Sequence, residues 1–115
     1  MAGADTAKIA ELNDQLRQTG EGGQIVVTSG VATMGSDFIL AAMAAVRLFS
    51  TFTEDNDPYG EHDFGAVEVT TATVAGETIF WKIDYYDQTG TGLSPDPAKP
   101  ELTQRVLTIM LASEY

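Results

Sequence analysis

Apolar residues recur three and four apart at Ile9, Leu12 and Leu16, the spacing of a one-sided amphipathic helix, with Asp5 or Thr6 as its expected cap and Gly20, Gly22 and Gly23 as its stop. Gln24 to Ser29 then carries the β-branched run Ile25, Val26, Val27, Thr28 and reads as a short strand, after which Ser29-Gly30 turns the chain. Ser36 is the expected N-cap of a second helix. Phe38, Ile39, Leu40, Met43, Val46 and Phe49 cover most of its circumference, with Arg47 its only strongly polar side chain after the first turn. A helix apolar all round is expected to be buried.

Thr53 to Gly65, TEDNDPYGEHDFG, has turn signals and no periodicity, so it reads as a loop. Ala66 to Thr73 and Glu77 to Tyr86 alternate as two strands of a hairpin joined through Val74, Ala75 and Gly76. Pairing Thr73 with Glu77 sets Val67 opposite Ile83 and Val69 opposite Trp81 on one face, and Glu68 opposite Lys82 on the other. By the same alternation Trp81 and Tyr85 point to the core, and Phe80 and Tyr86 point outward with Lys82 and Asp84. Gln88 to Pro100 is a second loop. Pro100 then suits the first turn of a helix running to about Ser113, with Leu102, Val106, Ile109 and Met110 as its inner stripe. The expected fold is a single α+β domain spanning residues 1–115 in the order α-β-α-β-β-α, a small mostly antiparallel sheet packed by helices.

Composition narrows the function classes. The chain has 115 residues and a formal charge of −11, a field that repels phosphate backbones and anionic bilayers and so argues against direct nucleic-acid or membrane binding. No cysteine is present, which removes disulfides, thiolate metal sites and cysteine nucleophiles. Met1 to Thr6 has no signal-peptide character, and the longest apolar run, Phe38 to Val46, is nine residues, against about 20 for a bilayer span. A cytoplasmic location is the expectation.

The charge is concentrated. Residues 54–87 hold nine acids and one base, a local balance of −8, and six of the ten aromatics, together with the sole histidine, His62. The strings FTEDNDPYGEHDFG (Phe52 to Gly65), FWKIDYYD (Phe80 to Asp87) and LTIMLASEY (Leu107 to Tyr115) resemble an uncharacterised family of small bacterial proteins, a domain of unknown function. The likeness runs from Glu11 to Tyr115. It implies a protein of alphaproteobacteria and their plasmids or integrated elements, and with that a role in mobile-element biology; it implies no activity.

Chemical motifs are sparse. Asp55, Asp57, Glu61 and Asp63 fall at alternate positions with Gly60 sixth from Asp55, but the calcium-loop pattern fails at Tyr59 and Ala66, where an oxygen ligand and a bidentate glutamate are required. A different carboxylate site for a divalent metal is one alternative, drawing on Asp55, Asp57, Glu61, His62, Asp63 and Asp84, or on Asp87. His62, between two acids, is placed either as a base or ligand or as a turn-fixing loop histidine. No serine stands in a nucleophile elbow, no glycine-rich phosphate loop follows Ser29-Gly30, and Phe80 stands where a nuclease pattern ending at Lys82 needs an acid. The leading expectation is a non-enzymatic protein-binding domain without a cofactor. Its acidic, aromatic face (Glu54, Asp55, Asp57, Tyr59, Glu61, His62, Asp63, Phe80, Asp84, Tyr86, Asp87) docks on a basic protein surface, in its most specific form as a DNA mimic acting against restriction or CRISPR enzymes. The alternatives are the metal-binding domain and a structural module whose acidity only keeps it soluble.

Overall fold

The computed structural model of the chain describes the backbone of residues 2–115 and the side chains from Asp5 onward. The opening residues read for a leader, Met1 to Ala4, lie outside the described side chains. Helix α1 (Ala2–Thr19) is followed by β1 (Gln24–Val27), a short helix α2 (Ser29–Thr33), α3 (Ser36–Leu48), β2 (Phe64–Val69), β3 (Glu77–Tyr86) and β4 (Gln104–Leu111). The four strands form one sheet in the order β1-β4-β3-β2, parallel between β1 and β4 and antiparallel in the other two pairs. This is an α+β domain, with a largely antiparallel sheet as expected. Among the described residues no helix is long and apolar enough to cross a membrane.

The main correction is at the C-terminus. Residues expected to form a helix are β4, flanked by single 3₁₀ turns at Pro100–Leu102 and Ala112–Glu114. The segment satisfies both periods: Leu102, Val106, Ile109 and Met110 suit a helical stripe, but Arg105, Leu107 and Ile109 also alternate with Val106, Thr108 and Met110. Five of its eight residues in β4 are Val, Thr, Ile or Leu, and tertiary context settles such an ambiguous run. The gap between β1 and β3 can be filled only by an extended chain with partners on both edges, and β4 fills it.

Local signals account for the remaining differences. Helix α1 runs through Asp5 and Thr6 instead of being capped by either, while Gly20, at φ +81°, ends it as expected. Ser29-Gly30 opens α2 rather than a turn, because the Thr28 hydroxyl accepts from the Val31 N–H as an N-cap. Gly35, not Ser36, occupies the cap position of α3. The hairpin register is four residues away from the expected one: Val67 faces Ile79 and Gly65 faces Trp81. Gly65 explains this choice. A Cβ there would come within 2.5 Å of the Trp81 indole nitrogen and 2.9 Å of the Phe49 ring, so glycine alone lets β2 pass beside the indole. The inner and outer assignment of β3 survives, since a four-residue slip preserves side-chain alternation.

The core lies between the inner sheet face (Val69, Ile79, Trp81, Ile83, Leu107, Ile109) and one side of the helices (Leu16, Val31, Phe38, Ala42, Val46). Helix α3 departs from the expectation of general burial: Phe38, Ala42 and Val46 are buried, but Leu40 is 67% exposed and Leu48 77%.

A buried cation joins these parts. Arg17, 4% exposed, donates to the carbonyls of Val46 (2.9 Å), Arg47 (3.3 Å) and Phe49 (2.6 Å) at the end of α3 and to Asp14 Oδ1 (2.8 Å). A helix C-terminus leaves such carbonyls unpaired and partly negative. Replacing Arg17 by leucine strands these acceptors and is expected to cost about 2–4 kcal/mol in a urea melt, whereas Arg47→Leu on the exposed side stays within about 0.5 kcal/mol. Equal losses in the two variants would contradict the anchoring role.

Candidate functional site

Two groupings of polar and aromatic side chains stand out, on opposite sides of the sheet. The inner one begins on α1, where Asn13 and Arg17 share the helix face of Ile9 and Leu16. Asn13, fully buried, donates from Nδ2 to the Glu61 carbonyl (2.9 Å) and to Tyr85 Oη (2.8 Å), and its Oδ1 accepts from Arg105 Nε (2.9 Å). Tyr85 donates in turn to Glu61 Oε1 at 3.0 Å. Arg105, 2% exposed, lies over the Tyr85 ring at 5.3 Å and donates to the Pro97 carbonyl. Burial drives the Tyr85 hydroxyl well above its ordinary pKa, with the charges of Asp63 and Glu61 adding to the rise, and burial lowers that of Arg105.

Beside this network sits His62, at φ +56° in the left-handed region, a conformation that needs tertiary support in a non-glycine residue. Its backbone N–H donates to the Asp57 carboxylate (3.2 and 3.3 Å) and its Nδ1 lies 3.0 Å from both oxygens of Asp14. Nε2 is 3.7 Å from Asp57 Oδ2. The imidazole also stacks on Phe52, 3.9 Å between centroids at 4°, and Phe52 carries the Arg17 guanidinium 5.4 Å from its centroid. His62 therefore fixes the loop to α1, the turn-fixing role in the sequence reading. Among the described residues no group of three or more histidine or carboxylate side chains is arranged to hold a metal ion; the alternating acids diverge, with Asp57 buried, Glu61 and Asp63 half-buried and Asp55 in solvent.

The outer grouping occupies the other sheet face. Phe80 packs edge-on against Phe64 (5.5 Å) and Tyr115 (5.2 Å), and Phe64 meets Tyr115 at 5.7 Å. Met110, opposite Phe80 in the ladder, is buried beneath them. Lys82 and Asp84 pair at 3.1 Å on the same row, and Glu68 and Tyr86 flank it. Tyr115 remains 74% exposed and Val26 at the β1 edge 40%. Tyr115 is held there because the Glu114 carboxylate accepts from Thr28 Oγ1 (2.6 Å), the Gly30 N–H (3.0 Å) and the Leu111 N–H (2.8 Å), bonds that hold its pKa below the usual glutamate value.

The residues singled out in sequence thus divide. Phe80, Asp84 and Tyr86 lie on the outer face; Asp57 is tied to His62 within the loop, and Glu61 and His62 are engaged with α1 or β3; Glu54, Asp55 and Tyr59 are exposed on the loop; and Asp87 folds its carboxylate onto Thr89 and Thr91, which lowers its pKa. Asn13, Asp14, Arg17 and Arg105 were missed, although Asn13 and Arg17 signalled themselves as polar residues four apart on an apolar stripe. Phe64 and Tyr115 were missed too. Starting the strand two residues earlier and pairing it in the observed register, with Phe64 opposite Lys82, sets Phe64 diagonally beside Phe80.

Asp63 is half-buried, and burial together with the charge of Glu61 raises its pKa, with Asp57 and Asp84 adding to the effect. A carboxyl whose folded pKa exceeds its unfolded value stabilises the fold below the unfolded value and loses that contribution as pH rises through the folded one. Asp63→Asn is therefore expected to raise Tm at pH 7 and to leave it unchanged near pH 3, below the ordinary carboxylate value of about 3.9; a lower Tm at pH 7 would overturn this placement.

No curated protein and no solved structure matches the chain. One family does, over residues 27–114, which spans every element from the end of β1 to the Glu114 clamp and leaves α1 before it. The chain belongs to the family described as protein of unknown function (DUF3768).

Proposed function

We propose that this is a non-enzymatic protein-binding domain that docks through the outer face of its sheet onto a basic protein surface. The observation that supports this most is the aromatic cluster Phe64–Phe80–Tyr115, set on the sheet face opposite the helices with Tyr115 largely in solvent. Aromatic anchors rimmed by charge are typical of binding hot spots. Glu68 and Asp84 stand at that rim, and the balance of −8 over residues 54–87 steers a cationic partner toward it.

Imitation of a DNA phosphate array, as an inhibitor of restriction or CRISPR enzymes, is the narrower form of this reading. Its resources are the exposed Glu54, Asp55 and Glu68. Asp57 and Glu61 contribute less, since their carboxylates already accept hydrogen bonds within the chain.

The test is capture of a basic nuclease-type protein by the immobilised chain. Capture is expected at about 50 mM salt and release at about 500 mM, where screening shortens the reach of the charge severalfold. The double variant Phe80→Ser, Tyr115→Ser should lose capture at the low salt concentration too, while its melting curve shows a folded domain. Salt-insensitive binding, or binding that the double variant retains, would sink the proposal.

A further inference from the structure

We infer that the solvent side of α3 is a self-association surface, on which two copies of the chain pack their α3 helices antiparallel. Apolar residues cover most of the circumference of the helix, yet the fold buries only the side bearing Phe38, Ala42 and Val46. Leu40, Met43 and Leu48, three of the eight large hydrophobics left exposed among the described residues, lie on its other side. A surface helix of a soluble domain is ordinarily polar there.

The charges on this helix identify the occupant. Asp37 and Arg47 are the only charged residues of α3, and neither has an ion-pair partner among the described residues. Positions 37, 40, 44 and 47 follow 3-4-3 spacing, the seam of a two-helix packing. The two charges close the ends of that seam, about 15 Å apart. A second copy laid antiparallel about a twofold axis near residue 42 sets Asp37 against Arg47 of its partner, twice by symmetry, and Leu40 against Ala44, large against small. Parallel packing would set like charges together. Because each chain carries −11, two copies meet with least repulsion where acids are fewest. This side also faces away from the sheet, so the outer sheet face stays free for another protein. One helix pair buries less than the roughly 1,200 Å² of a standard interface, so the dimer is weak and concentration-dependent.

Sedimentation of the full chain from about 10 μM to about 1 mM covers the range in which such an interface forms. The expected result is a rise from 12.3 kDa to twice that mass. Leu40→Glu should weaken association about tenfold or more by placing a charge in the seam. Asp37→Arg and Arg47→Asp should each weaken it about threefold, and the double variant should return to within about twofold of the native chain, because the pairing is then only inverted. Asp37, Leu40 and Arg47 are all exposed, and a melting curve verifies that each variant folds. A monomer at every concentration, a dimer indifferent to Leu40→Glu, a dimer lost instead with Phe80→Ser, or failure of the double variant to recover overturns the inference.

Discussion

A guanidinium almost fully withdrawn from water ties α1 to the end of α3 over the sheet. Arg17 reaches from α1 across to the last carbonyls of α3, takes Asp14 as its counter-ion, and lies over both Phe52 and Trp81. Removing a charge from water is costly, and the cost is offset here only by near-complete engagement: one carboxylate, three carbonyls from the negative end of a helix, and two aromatic faces. Its Nε, like the Trp81 indole N–H, finds no hydrogen-bond partner among the described residues. Asp14, oriented by Arg17, in turn receives His62, so the loop conformation depends on the same contact.

The sheet depends on β4. It is paired along both edges, parallel to β1 and antiparallel to β3, and carries Arg105, Leu107 and Ile109 into the core. Making this segment a strand rather than a helix changes more than a label. A terminal helix could have covered the outer face; a central strand instead adds Val106, Thr108 and Met110 to it and leaves that face without a helical layer. The same strand brings the Glu114 clamp and Tyr115 back over Phe64 and Phe80. The outer face thereby acquires its aromatic cluster from three separate stretches of chain.

Acidity and apolarity are segregated. The carboxylates crowd one loop and its neighbouring strands, where several accept hydrogen bonds within the chain and Asp63 is held with a raised pKa, while α3 shows bare leucine and methionine on its solvent side. Like charges crowded together destabilise the compact state but keep chains apart in solution. An apolar helix face has the opposite tendency. A protein carrying both is suited to meet different partners on different sides.

Wherever one period dominated, local pattern determined the outcome by itself: the Ile9, Leu12, Leu16 stripe made a helix, glycine at Gly20 ended it, and alternation placed Trp81 and Tyr85 inward and Phe80 and Tyr86 outward. Those results follow from steric and solvation preferences that act over a few residues. Composition likewise located the acidic segment without any fold. Tertiary structure decided what two patterns left open. Gln104 to Leu111 fits both a helix and a strand, and only the vacancy between β1 and β3 selects extension. The register of β2 rests on the fit of Gly65 beside the Trp81 indole, a contact between side chain and backbone that pairing rules do not contain. Whether α3 is covered depends on how many elements surround it, and which acids are free depends on Asn13, Asp14 and Tyr85, residues distant in the chain. Long-range packing and hydrogen bonding set these features, and a local window along the chain carries no trace of them.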